Sequence, residues 1–139
     1  MSKFGFSPYG LMSPYLGAVK ASRKAPASDA AVYFTDSAGD RCISFHLKGE
    51  LAGSRGNNYA LMFNRISSSG PRWGIRIYDR GCNIFRTTTL TLASAMSALP
   101  SAIKGGGLAD VLEVRVYKSV NEAFTAATCA GSIGFRGGA

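Results

Sequence analysis

A short, recurring alternation is the feature that most constrains this chain. Residues 75–78 read Ile-Arg-Ile-Tyr, and residues 114–117 read Val-Arg-Val-Tyr. A period of two sends every second side chain to the same face of a strand, whereas a helix repeats its buried positions every three to four residues. The same pattern runs through 31–35, 42–48, 59–66, 72–80, 83–92 and 111–118. Turn-forming residues separate these runs: Gly39 lies within 36–40, and Ser67-Ser68-Ser69-Gly70-Pro71 lies between the second pair. Strands joined in this way read as antiparallel hairpins. Thr87-Thr88-Thr89 adds β-branched stiffness to the fifth run. Segment 94–103, Ala-rich with Met96 and Leu99, predicts a short helix that Pro100 interrupts or restarts, and 120–130 predicts a short terminal helix. The fold class expected is mainly β (α+β): an antiparallel sheet of about six strands with one or two short helices and an extended N-terminal arm.

At 139 residues the chain holds one domain. The β-rich part spans 31–131, an arm covers 1–30, and a Gly-rich tail covers 132–139. In the arm, Ser-Pro-Tyr occurs at 7–9 and again at 13–15. Each proline fixes its own φ and pushes the preceding serine away from helix, so the arm is expected to be extended or turned. Phe4, Phe6, Tyr9 and Tyr15 give it apolar anchors that disordered tails usually lack, which suits docking on a neighbouring copy or folding back on its own domain. Lys20, Arg23 and Lys24 follow as a basic cluster suited to phosphate.

Sixteen Lys and Arg against eight Asp and Glu give a net charge of +8. That balance argues against a calcium buffer or acidic-tail protein and favours a polyanionic partner. The strand faces refine the point. Trp73, Ile75 and Ile77 share one side, opposite Arg76, Tyr78 and Arg80; Leu112, Val114 and Val116 share a side opposite Glu113, Arg115 and Tyr117. Ile43, Phe45 and Leu47 face inward, and Ser44, His46 and Lys48 outward. If these strands share a sheet, its outer face carries Arg76, Arg80, Arg115, Lys48 and His46 around Tyr78 and Tyr117. Guanidinium groups pair with phosphate oxygens, and tyrosine rings stack on unpaired bases with little sequence preference.

Catalysis and cofactors find little support. One histidine, His46, and eight carboxylates make a thin inventory for acid–base or metal chemistry. Neither 49–58 nor the Gly105–Gly107 run has the glycine spacing of a phosphate cradle. A metal-dependent nuclease would need Asp79, Asp110 and Glu113 to converge. Cys42, Cys82 and Cys129 lack metal-ligand spacing and read as three half-buried thiols in a reducing compartment. Prolines and glycines break any signal-peptide core near the N-terminus, and no apolar run is long enough to span a membrane, so the expected location is intracellular or in a virion. The expectation is therefore a non-enzymatic, self-associating protein, without metal or cofactor, that coats single-stranded nucleic acid. A viral or phage coat or tail component, with terminal arms lacing subunits together, is the alternative.

Overall fold

The computed structural model describes residues 28–66, 72–91, 95–122 and 124–139. The arm residues Phe4, Phe6, Tyr9, Tyr15, Lys20, Arg23 and Lys24 lie outside the described residues. Seven strands are described: β1 (Ala31–Thr35), β2 (Arg41–Leu47), β3 (Ala60–Ile66), β4 (Arg72–Tyr78), β5 (Ile84–Thr91), β6 (Leu112–Val116) and β7 (Ile133–Gly134). One α-helix, α1 (Leu99–Lys104), precedes β6. The protein is mainly β and antiparallel, as the alternation predicts. Its strands divide between two sheets, however, ordered β1-β2-β6 and β5-β4-β3-β7.

Register explains the core. Val32, Phe45 and Val114 line up across the three-stranded sheet, as do Phe34, Ile43 and Val116. In the other sheet Phe63 lies opposite Ile75, and Leu61 opposite Ile77. Both inward faces feed one apolar cluster in which Phe45, Phe63 and Trp73 are fully buried. Aromatic rings join the sheets: Phe63 lies 4.7 Å from Phe45 and 5.8 Å from Phe34 between centroids, and stacks on Trp73 at 5.0 Å. Offset and edge-on ring pairs add to simple area burial, so this cluster is the principal glue between the layers.

Connections are pinned by polar contacts at the rim. Arg86 reaches Asp110 at 2.8 Å, the Gly107 carbonyl at 3.1 Å and Glu50 at 3.5 Å, tying β5 to the loops before β3 and β6. Gly49 adopts φ +61° beside the Asp110 carbonyl, where a Cβ would collide with backbone. Segment 49–58, which has no phosphate-cradle spacing, forms two 3₁₀ turns that bury Leu51 and Gly56.

Several expectations are revised. Pro100 sits in the first turn of α1, where its missing N–H breaks no intrahelical bond, so of its two expected roles it takes the second and restarts the chain as helix after the 3₁₀ turn at Met96–Ala98. The described residues of 120–130 form no terminal helix; only a 3₁₀ turn at Cys129–Gly131 is present. Instead Thr125 seals the edge of β3: its Oγ1 accepts from the Phe63 N–H at 2.8 Å, and its own N–H donates to the Phe63 carbonyl at 3.1 Å. Edge pairing and the burial of Phe124 among the core rings outweigh the helical propensity of the alanines here. The Gly-rich tail is also woven in. Phe135 is 2% exposed, Arg136 bridges Ala31, and the Ser28 hydroxyl donates to the Gly137 carbonyl.

Cysteine pairing differs as well. Cys82 in the β4–β5 turn and Cys129 are joined in a disulfide across 47 residues of sequence, and only Cys42 is a free thiol. Sequence spacing reports nothing about proximity once a chain has folded back, so the three-thiol reading fails. Cys42 is buried, donates weakly to the Phe34 carbonyl, and burial pushes its thiol above the ordinary value. No described helix is long and apolar enough to cross a membrane.

Candidate nucleic-acid interface

The outer face of the three-stranded sheet is set by two registers. Tyr33 pairs with Ser44, Thr35 with Arg41, Ser44 with Arg115, and His46 with Glu113. Tyr117 follows β6 and donates its N–H to the Cys42 carbonyl, which brings its ring back over β2. Tyr33 and Tyr117 are each 50% exposed. Between them lies Arg41, its guanidinium carbon 4.3 Å from the Tyr33 centroid and 5.9 Å from that of Tyr117. Both distances fall within cation–π range.

Beneath this trio is a hydrogen-bonded floor. Ser44 is fully buried although it points to the outer face. Its hydroxyl lies 2.7 Å from His46 Nε2 and 3.1 Å from the Tyr117 hydroxyl. The His46 ring packs edge-on against Tyr33 at 5.5 Å. A neutral imidazole with its proton on Nδ1 accepts from Ser44, leaving Ser44 to accept from Tyr117. Partial burial, helped by the nearby Arg115 charge, holds His46 below its usual value, which favours that neutral form.

The sign of the resulting pH effect is fixed. Below about pH 6.5 the unfolded histidine takes a proton that the folded one resists, so stability falls on acidification. His46 is the chain's sole histidine, so between about pH 7.5 and 5.5 its titration should dominate. His46→Gln is expected to flatten the fall in melting temperature over that interval; parallel profiles for variant and wild type would refute the arrangement.

Much of the cationic charge on this face is already engaged. Arg115 pairs with Glu113 at 3.2 Å, and Lys118 pairs with Asp36 and Asp40. These bridges hold the Glu113 and Asp36 carboxyls below the usual range. Arg41 has no ion-pair partner among the described residues and stands as the available guanidinium. Lys48 is exposed just beyond β2, beside a cleft that it lines with Lys104, Ile103 and Glu113.

The remaining expected residues lie elsewhere. Arg76 and Tyr78 are on β4 of the four-stranded sheet, and Arg80 is in the turn after it. The inward faces of the two sheets meet in one core, so this outer face looks away from Tyr117. The single basic and aromatic face is therefore corrected to two. Tyr78 is only 4% exposed and receives a long contact, 3.4 Å, from Arg76, so its ring offers no open stacking surface. Conversely, Tyr33 and Arg41 are not among the residues that the sequence singles out. The alternation in 31–35 turns Tyr33 outward, and the short turn at 36–40 returns the chain alongside it, so hairpin register was the signal that pointed to both.

Asp79, Asp110 and Glu113 are drawn to separate tasks. Asp79 caps its own turn through the Gly81 and Asn83 amides, Asp110 holds Arg86, and Glu113 holds Arg115. Among the described residues no three His, Cys, Asp or Glu side chains are grouped to hold a metal ion. Comparison with known proteins adds no precedent: no protein family, no curated protein and no solved structure matches this chain.

Proposed function

We propose that this protein binds single-stranded nucleic acid without catalysis and assembles with copies of itself. The observation that carries the binding half is the Tyr33–Arg41–Tyr117 trio, two half-exposed rings flanking a guanidinium that has no carboxylate partner among the described residues. Unpaired bases stack on the rings while Arg41 and Lys48 meet the phosphates. The arm strengthens the attraction. Residues 1–27 contain Lys3, Lys20, Arg23 and Lys24 and no acidic residue, which is half of the net +8. Such binding tolerates sequence and weakens with salt.

Oligonucleotide anisotropy tests the reading. Each stacked base contributes about 1–3 kcal/mol, so Tyr33→Ala with Tyr117→Ala is expected to weaken binding by at least about tenfold while leaving the salt slope in place. Arg41→Ala should reduce that slope by about one phosphate contact. Tyr117→Phe keeps the ring and should bind nearly as wild type. Arg76→Ala, on the opposite face, should change little. A tyrosine double variant that binds normally would refute the assignment.

A coat-like role is a second reading with its own support. The Cys82–Cys129 disulfide lies near the surface, and such bonds persist outside reducing compartments. The C-terminal residues are laced into both sheets, which suits a subunit exposed on a particle.

A further inference from the structure

We infer that the open edge of β1 is a docking groove for the N-terminal arm of a second copy of this chain. This deepens the self-association half of the function proposed above and rests on it. β1 is an edge strand, with β2 on its inner side. On its other side only Ala31 has a described partner: its N–H and carbonyl bond Arg136 at 2.8 and 3.1 Å. Beyond that isolated bridge lies a groove lined by Val32, Tyr33, Ile133, Gly134 and Arg136. In a strand, backbone groups alternate sides, so Tyr33, two residues on from Ala31, presents its N–H and carbonyl to the groove. Tyr33 and Ile133 also leave apolar surface in it, at 50% and 41% exposure. A short, uncharged edge beside exposed apolar residues is the geometry of strand addition, where backbone bonds supply affinity and alternate side chains fill pockets.

The arm has matching chemistry. Phe4, Gly5 and Phe6 place two aromatic rings at a spacing of two, ahead of Pro8, which lacks an N–H and ends any pairing. Two features favour a second copy over the chain's own arm. The position next to Ala31, which a direct fold-back would need, is occupied by Arg136. Ser28 is held to the C-terminus, its hydroxyl on the Gly137 carbonyl and its own carbonyl on the Ala139 N–H, so the preceding chain leaves from the closed end of the groove. Twenty-seven residues precede that point and reach up to about 90 Å when extended, enough to cross to a neighbour. Reciprocal exchange of arms closes a two-fold dimer.

The test uses two variants of the full chain, weighed by light scattering in 1 M salt so that bound nucleic acid is removed. Ile133→Lys blocks the groove, and Phe4→Ser with Phe6→Ser disarms the arm. Wild type is expected to be dimeric or larger, and each variant to dissociate at least tenfold more readily. Mixing the two should restore association, because the first keeps an intact arm and the second an intact groove. Buried Trp73 fluorescence confirms that both remain folded. A monomeric wild type, as when an arm docks on its own groove, overturns the proposal, as do variants of undiminished mass or a mixture that fails to associate. An oligomeric wild type whose mass neither variant lowers would sink the groove alone, whereas a monomeric wild type would sink self-association with it; oligonucleotide anisotropy on the same samples reads the nucleic-acid half separately.

Discussion

Phe63→Ala is expected to cost about 3–5 kcal/mol of folding stability, the upper range for removing a buried aromatic. Phe63 is fully buried and its ring contacts those of Phe34, Phe45, Trp73 and Phe124. These four come from β1, β2, β4 and the segment before β7, so one truncation leaves a void where both sheets and the C-terminal segment meet. The surrounding rings are too large and too well fixed to refill it by small shifts. Guanidinium unfolding followed by Trp73 emission reads the effect directly, because that indole stacks on Phe63 and is the chain's only tryptophan. Phe63→Leu should lose markedly less. A Phe63→Ala protein within about 1 kcal/mol of wild type would mean that the sheets do not pack through this cluster.

Loss of the Cys82–Cys129 bond is the second large effect. The bond closes a loop of 47 residues, and on chain entropy alone such a closure stabilises by about 4 kcal/mol. Cys82→Ser with Cys129→Ser, or treatment with a thiol reductant, should lower the melting temperature by roughly 10–15 °C. The two treatments should agree, since Cys42 is buried and takes no part. The C-terminal segment should loosen first, because its backbone attachments to the sheets are short: the Thr125–Phe63 contact, the two-residue β7 and the single Ala31–Arg136 bridge. Hydrogen exchange at the Phe63 amide, bonded to Thr125, then becomes faster than at amides between β4 and β5. Identical melting with and without reductant would contradict the pairing.

How much of this was legible beforehand follows from the range over which each signal acts. Strand positions were readable because each strand buries one face: Ile43, Phe45 and Leu47 turn inward as their alternation demands. Which strands share a sheet was not readable. The Ile-Arg-Ile-Tyr and Val-Arg-Val-Tyr segments are alike locally, yet Arg76 and Arg115 end on opposite layers because their neighbours, β3 and β2, differ. Burial of outward residues was equally hidden. Ser44 obeys the alternation but is covered by side chains from β1 and from the residue after β6, and only the assembled register brings them over it. The alanines of 120–130 suggested helix, while the decisive contacts, Thr125 to Phe63 and Cys129 to Cys82, lie 62 and 47 residues away. Gly131 gave a faint clue: a Cβ there would strike Ala126, so the chain needs a residue without one for this close return.

The site follows the same logic. Arg115, Tyr117, His46 and Lys48 follow from strand alternation and gather on one sheet. Tyr33 and Arg41 complete the arrangement through the β1–β2 register. Arg76, Tyr78 and Arg80 belong to the other layer, so variants at these positions separate one face from the other in any binding experiment.

Ultraviolet crosslinking of a bound oligonucleotide, followed by mass-spectrometric mapping of the modified peptides, tests the central claim most directly. Bases stacked on tyrosine lie in van der Waals contact with the ring and are placed to react with it. Adducts are expected on Tyr33 and Tyr117, and their yield should survive Arg76→Ala but vanish in the Tyr33→Ala, Tyr117→Ala protein. Adducts confined to the four-stranded sheet, or no complex at low salt, would contradict the account.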